Sequence, residues 1–513
     1  MYLLLLSFFP LLSAYNRPAD ESMLLDLSPN EFKPVKVNTR STFLNIDIPA
    51  GAKGKEATYN LNTFKWLTEQ VYPELSQKRN PVNNFIYSAL KVWTSQPDSP
   101  LNADLLLTGI KNYPEGKNNP DFLLWLGYIY QINSDHATAI KYMKEAFSKI
   151  YKNKKIKPVR KFICGIVCTN NYYTRNTYLK SIAAKTAGSL VSAINHKELT
   201  GSESSFIVRK LSHHRHGTIM YQAFVKDMKK LKQPDPWLIY TCKGIYEIKK
   251  AWLARGKGYA NTVDKDGWKG FFKHLNQAEI LLTKAWKLHP ERPQAPTAMI
   301  PVAMGKYRSS IQSDVTWFNR AVAAQVDYIP AYKALLWSRR PRWRGSHDQM
   351  LQIGHAALLS KMYDTKVPMI YLNALIDIAG EMPYSNWQAP FRKPGVHDQL
   401  EELCREMLKR KHPIEDKIWL SSLPLYIRLF CGHYEQAANT LEKLKNPAHF
   451  IYNRSQPGTK MDFTNPSLDH IRMKLDLFNG PFGKRLIEAE NLCIDGKREK
   501  GRKIFLDILP ELK

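Results

Sequence analysis

The sequence predicts an all-α protein, an irregular solenoid of helical hairpins preceded by a short irregular N-terminal segment. From residue 61 onward, segments of about ten to twenty residues carry apolar side chains at three- and four-residue spacing, with Pro, Gly and Asn between them. Several of these segments share one order of small and large residues, which indicates a repeat. Hydrophobic residues make up 44% of the 513 positions, and this is ordinary for a chain that buries a core.

The N-terminus predicts export. Residues 1–14, MYLLLLSFFPLLSA, are apolar, too short to span a bilayer and followed by a polar stretch. We expect a secretory signal peptide cleaved after Ala14, and hence a periplasmic or secreted protein; without it the protein would be cytoplasmic. Because no positive residue precedes the apolar run, a buried N-terminal helix is the alternative. No later stretch is long and apolar enough to predict an integral membrane span.

Residues 15–60 are polar, and we expect them to be irregular apart from FLNIDI at 43–48, an alternating stretch that would suit one strand. Residues 61–265 are expected to form an N-terminal helical repeat region and residues 266–447 a central one. Residues 448–513 are expected to form a C-terminal helical hairpin. The chain therefore divides into helical regions rather than mixed domains.

The clearest repeat is PDFLLWLGYIYQINSDHATAIKYMKEAF, residues 120–147. Gly127 and Ala139 lack bulk where two antiparallel helices would approach most closely. Larger side chains stand on either side of them: Leu126, Tyr130 and Met143. This order resembles the tetratricopeptide repeat, and the resemblance implies a helix–turn–helix unit with Gly127 and Ala139 in structural roles.

A second match is NQAEILLTKAWKLHPERPQA, residues 276–295. Ala278 and Ala285 have the spacing of a second repeat helix, and Pro290 would end that helix because proline has no backbone N–H to donate. We therefore assign structural roles to both alanines. Weaker copies begin at Gly432 and Gly496, which suggests a degenerate array.

The stretch WSRRPRWRGSHDQM, Trp337–Met350, lies between two predicted helices, the second capped by Ser346. It resembles the uncharacterised bacterial domain of unknown function 4034 family, which has a Pro-Arg-Trp-Gly-Gly-Ser signature. The matching residues are Pro341, Arg342, Trp343, Gly345 and Ser346. Arg344 stands where the family has glycine. The resemblance covers about residues 270–445 and implies a helical fold but no catalytic residue.

Two interpretations of this connector compete. In the structural one, Trp343 packs between neighbouring helices and the arginines bind helix ends or acidic side chains. In the other, an anion clamp for carboxylate or phosphate is formed by Arg339, Arg340, Arg342 and Arg344. We favour the structural interpretation, because a tryptophan between two helices is usually a packing residue.

The sequence contains no phosphate-binding loop, nucleophile elbow or zinc-protease motif, so it predicts no catalytic residue, cofactor or metal. The best metal candidates are His213, His214 and His216, but neighbouring histidines on a helix point in different directions, which favours an exposed polar face. Cys164 and Cys168, four residues apart, are interpreted as packed apolar residues, with a redox pair or half a metal site as the alternative.

The net charge of +29, from 75 Lys and Arg against 46 Asp and Glu, predicts an anionic partner. The basic run at 152–161 would supply the partner-binding residues. The alternative is that these residues form a solvated surface without a binding role. Its basic members are Lys152, Lys154, Lys155, Lys157, Arg160 and Lys161.

These observations together predict a non-enzymatic helical-repeat scaffold whose concave face binds an acidic peptide or protein partner. One alternative is a basic binding module for anionic polymers, either nucleic acid or envelope polysaccharide. A second alternative is a hydrolase whose site is assembled from residues far apart in the chain.

Overall fold

The computed structural model describes residues 44–443, apart from 50, 78–79, 172–175, 213–216, 311 and 383–385, together with parts of 479–508. The described residues form helices and no β-strand, so the all-α prediction is confirmed. None of the helices in these ranges is both long and apolar enough to cross a membrane. Several expectations lie outside the described residues: the signal segment 1–14, residues 15–43, the three histidines at 213–216 and most of the C-terminal hairpin.

Most consecutive helices contact one another along the chain and most are joined by short loops, as in a solenoid. The first ten described helices are α1 Glu56–Trp66, α2 Glu74–Gln77, α3 Pro81–Trp93, α4 Asn102–Gly116, α5 Pro120–Ile132, α6 His136–Lys152, α7 Pro158–Asn171, α8 Asn176–Asn195, α9 Ser204–Ser212 and α10 Gly217–Asp227. The others are α11 Pro236–Arg255, α12 Lys265–Leu288, α13 Gln294–Lys306, α14 Asp314–Ala324, α15 Ile329–Ser338, α16 His347–Leu359, α17 Ile370–Ala379, α18 Val396–Leu408, α19 Ile414–Cys431, α20 Tyr434–Lys443 and α21 Gly483–Ile494.

Local sequence explains where many of these helices begin. Asn119 accepts hydrogen bonds from the first amides of α5, and Asp135 does the same for α6. Ser346 caps α16 by accepting from the amide of Gln349. Each cap satisfies an amide that has no partner within its own helix.

The α5–α6 hairpin has the close contact that its sequence suggests. A Cβ atom on Gly127 would lie 2.9 Å from Cγ of Met143 and 3.1 Å from the carbonyl oxygen of Ala139. Leu126, Ala139 and Met143 are fully buried around this contact. The two helices can therefore approach this closely only because residue 127 has no side chain.

The α11–α12 hairpin repeats the arrangement. Ala278, Leu282 and Ala285 on α12 are fully buried. A Cβ atom on Gly244 of α11 would lie 2.6 Å from Cγ of Leu282, so Gly244 takes the role that Gly127 has in the earlier hairpin. The sequence pattern did not single out Gly244. The region boundary drawn at 265/266 falls in the first turn of α12, which packs against α11.

Two hydrophobic clusters form the described core. One extends from Leu44 to Ile378 and the other from Met369 to Ile508. Helix α17 supplies residues to both, for example Ile370 to the first and Leu372 to the second. The change from one cluster to the next therefore occurs within one helix, not in a linker.

The N-terminal segment, residues 44–49 and 51–55, runs against the middle of the chain and contains no strand. The amide of Leu44 donates to Oε1 of Gln352 at 2.9 Å, and the amide of Asp47 donates to Oδ1 of Asn319 at 3.1 Å. Nδ2 of Asn319 in turn donates to the carbonyl of Asn45. The strand expected at 43–48 is thus absent from residues 44–48, because side chains rather than a second strand satisfy this backbone.

The start of α1 is held by a residue far along the chain. Oδ1 of Asp327 accepts from the amide of Lys55 at 2.9 Å, across 272 positions, and Oδ2 accepts from the amide of Glu56 at 2.8 Å. Helix α1 has no side-chain cap of its own, so Asp327 provides it. Oε2 of Glu56 also accepts from Arg209, at 2.7 Å. These bonds hold the start of α1 against α9 and the loop before α15, where it borders a large cleft.

Candidate binding cleft

A cleft of about 2440 Å³, which we call the central cleft, lies among helices α1, α9, α10, α11, α13, α15 and α19. The other lining residues lie outside these helices, at 54, 95–98, 256–260, 327–328, 342–343, 364–366 and 411–413. Sites for small molecules usually measure about 300–1,000 Å³. The central cleft is therefore large enough for a segment of a macromolecule.

The lining of the cleft is more basic than acidic. Among the described residues that form it, eight are lysine or arginine and five are aspartate or glutamate. Four of the five acids already have partners within the protein: Glu56 with Arg209, Asp98 with Lys91, Asp416 with Lys366, and Asp327 with the amides of 55 and 56. The acids thus do little to neutralise the remaining cations.

Four of the lining lysines, Lys249, Lys257, Lys333 and Lys411, have no carboxylate partner among the described residues. Burial lowers the pKa of Lys249. Burial also lowers the pKa of Lys333; the charge of Lys366 adds to this, while Asp377 opposes it. A bound anion would stabilise the charged form of both lysines, so these positions favour a negatively charged ligand.

Three tryptophans form one side of the cleft. The ring centroids of Trp252 and Trp343 are 5.4 Å apart, and those of Trp337 and Trp343 are 6.4 Å apart. The guanidinium of Arg255 lies 5.4 Å from the Trp343 ring and donates to the carbonyl of Gly258 at 2.9 Å. Trp343 is half-buried and lines the cleft, whereas we expected its indole to be enclosed between helices. The difference arises because the cleft leaves one side of the ring without a packing neighbour.

The connector after α15 is held by a buried ion cluster. Arg340 is 0% exposed and lies 2.9 Å from Oδ1 of Asp377 and 3.2 Å from Oε1 of Glu381. Burial alone would raise the pKa of Glu381, but the neighbouring His347, a hydrogen bond from Arg342 and the charge of Arg340 lower it below its usual value. The cluster thus joins the connector to helix α17 and the residues just after it.

The four arginines of the proposed clamp do not converge on one anion site. Arg339 pairs with Asp314, Arg340 with the buried cluster, and Arg342 with Glu381 at 2.9 Å. Arg344 lies over the ring of Tyr307 at 4.6 Å. Three of them are thus engaged by carboxylates of the chain itself, as the structural interpretation requires, although Arg342 also lines the cleft.

Arg344 forms the turn that follows Trp343. Its φ is +70°, a left-handed conformation that costs a non-glycine residue about 1–2 kcal/mol. The next position is stricter, because a Cβ atom on Gly345 would lie 2.0 Å from the carbonyl oxygen of Arg339. The turn therefore accepts arginine at 344 with strain and requires glycine at 345.

The basic run at 152–161 lies away from the cleft. Lys152, Lys154, Lys155 and Lys157 are exposed, and Lys161 is half-buried. Arg160 differs from these lysines, because its side chain is largely buried and paired within the protein. It pairs with Glu74, lies 3.5 Å from Asp121 and stacks on Tyr72 at 4.3 Å. None of the six lines the central cleft.

The cysteines and histidines form no metal site in the described ranges, where no cluster of three ligating residues occurs. The sulfur atoms of Cys164 and Cys168 lie 3.9 Å apart in the core, and burial raises the pKa of Cys164, which makes it a poor nucleophile. His412 lines the cleft, but its Nε2 is bonded to the backbone carbonyl of Tyr363 at 3.1 Å.

Sequence reasoning missed the residues that line the cleft. Lys249, Gln294 and Lys333 come from three helices, and no recognised motif surrounds any of them. The alternation of apolar and polar positions marks them as ordinary helix-surface residues.

No protein-family model matches this chain, and no curated protein matches it.

Proposed function

We propose that this protein is a helical-repeat scaffold that binds an acidic peptide segment of a partner protein in the central cleft. The observation that carries the proposal is the row of lysines without carboxylate partners along a cleft too large for an ordinary small molecule. Helices from both ends of the first hydrophobic cluster supply the walls. The helices thus give the cleft its shape, and the lysines give it the positive charge that attracts an acidic ligand.

The proposal moves the binding residues from the basic run at 152–161 to the cleft. Lys249 is half-buried on a helix that forms one wall of the cleft, and Lys333, although exposed, lies on the helix that forms another wall. Exposed lysines in a loop are screened by salt and gain little from pairing. Ion pairs in the cleft should therefore contribute more to affinity than those on the exposed run.

A pair of charge-matched variants tests this. The probe is a fluorescein-labelled octapeptide of alternating glutamate and glycine, and affinity is measured by fluorescence anisotropy at about physiological salt. We expect Lys249→Met with Lys333→Met to weaken binding about tenfold, which corresponds to about 1.4 kcal/mol. The control, Lys154→Met with Lys155→Met, removes the same charge from the exposed run, and we expect it to weaken binding less than about threefold.

Equal losses in the two double variants would contradict the cleft and favour the basic run. Thermal denaturation of each variant shows whether a loss of binding reflects a loss of folding. Measurements at two salt concentrations add a second check, since contacts on the exposed run should weaken more steeply as salt increases.

The two alternatives are separate outcomes of the same experiment. Tighter binding of dextran sulfate or of a single-stranded oligonucleotide than of the peptide would favour the module for anionic polymers. Cleavage of the peptide during the measurement would favour the hydrolase. Export and the likeness to the domain of unknown function 4034 family remain proposals that this experiment does not address.

A further inference from the structure

Helix α13 presents one face, with two polar side chains, to the central cleft. Gln294, Thr297, Ala298 and Pro301 all line the cleft. Their spacing of three, four and seven residues puts them on one face of the helix. Lys249, on the neighbouring helix α11, lines the same cleft and supplies a positive charge.

The amide of Gln294 has no hydrogen-bond partner among the described residues. The residue is 4% exposed, and neither its Nε2 nor its Oε1 is bonded. A buried amide left unbonded is costly, so a native protein usually pairs it. The Gln294 side chain has three rotatable bonds, and turning the amide into the cleft would let a ligand satisfy both atoms.

Two groups of Thr297, on the same face, also lack hydrogen-bond partners among the described residues: its side-chain hydroxyl and its backbone carbonyl. Oγ1 of Thr297 is buried and has no partner among the described residues. The carbonyl of Thr297 has no helical donor either, because residue 301, four positions on, is a proline without an N–H. The face thus offers an amide, a hydroxyl and a carbonyl within one turn of helix.

We propose that this face of α13 binds the main chain of an extended peptide, with Gln294 pairing to one of its peptide groups. A glutamine amide has one donor side and one acceptor side, and so does a peptide group. A helical ligand has already bonded most of its amides to its own carbonyls, whereas an extended one leaves them free. This inference rests on the proposed function and specifies the conformation of the acidic ligand.

The test compares two probes that differ only in their backbone. The first is the labelled octapeptide of alternating glutamate and glycine, and the second replaces each glycine by N-methylglycine, which keeps the charge and removes those N–H donors. We expect Gln294→Met to weaken binding of the first probe about tenfold. We expect it to change binding of the second probe less than twofold.

Stability separates binding from folding. Because methionine replaces an unbonded buried amide with an apolar group of similar length, we expect the melting temperature of Gln294→Met to stay the same or rise. A clear fall in melting temperature would overturn the inference, since Gln294 would then be bonded within the protein. Thr297→Val, which removes only a hydroxyl, is a second variant and should weaken the first probe about threefold.

Equal effects of Gln294→Met on the two probes would overturn main-chain recognition by this face. The proposed function would still hold in that case if Lys249→Met with Lys333→Met weakened both probes. If neither probe bound and dextran sulfate did, both proposals would fail.

Discussion

Replacing Arg340 by methionine should destabilise the protein by about 3–5 kcal/mol, the usual cost of leaving buried charges without a partner. The Arg340 side chain is 0% exposed, and those of its partners Asp377 and Glu381 are 4% and 9% exposed. Methionine fills much of the same volume. It removes the ion pair that Arg340 makes with Asp377 and the one that it makes with Glu381. The change therefore removes charge compensation rather than packing.

Arg342→Gln is the matched control. Arg342 also pairs with Glu381, at 2.9 Å, but its side chain is 32% exposed. Exposed ion pairs contribute about 0–1 kcal/mol, so we expect a loss in that range. Urea denaturation followed by tryptophan fluorescence measures both, because Trp337 and Trp343 lie beside the connector. Raising the salt should reduce the effect of Arg342→Gln and leave that of Arg340→Met almost unchanged.

Acid adds an independent readout of the same cluster. The folded pKa of Glu381 is lower than its ordinary value of 4.5, so its contribution to stability is complete above that value and is lost as the pH falls through the folded pKa. Without the charge of Arg340 this folded pKa should move up, and the variant should lose stability at a higher pH than the wild type. If Arg340→Met were as stable as Arg342→Gln, the buried cluster would not hold the connector. That result would favour the interpretation of the four arginines as an anion clamp.

Two further predictions concern packing and the cleft. Gly127→Ala should destabilise the protein by about 1 kcal/mol, since overpacking against the carbonyl of Ala139 exceeds the gain in helix propensity. Gly188→Ala, whose Cβ would have its nearest neighbour at 4.0 Å, should stabilise it by about 0.5–1 kcal/mol; parallel shifts of the two melting temperatures would refute this account of the hairpin. Trp343→Ala should cost about 2 kcal/mol rather than the roughly 3–5 kcal/mol of a fully enclosed indole, because the ring is half-buried. The same variant should bind the acidic octapeptide more weakly, and unchanged binding would remove Trp343 from the cleft.

The sequence by itself determined the helical class, many helix boundaries and the close contacts within hairpins. These depend on residues three to eight positions apart or on short loops. Asn119 caps the helix that follows it, and Gly127 meets Ala139 across a turn of a few residues. Such interactions can be derived from spacing, because helix geometry fixes which side chains are neighbours.

Only the tertiary structure decided what the charged residues contact. Arg160 belongs to the basic run in sequence, yet in the fold it binds Glu74 and Asp121. The cap that Asp327 gives α1 spans 272 positions, and the cleft combines residues from seven of the described helices. No local sequence pattern predicts these long-range contacts, because they depend on how successive helix pairs pack against one another. The packing of the helices therefore determines which lysines and arginines pair with carboxylates of the chain and which are available to a ligand.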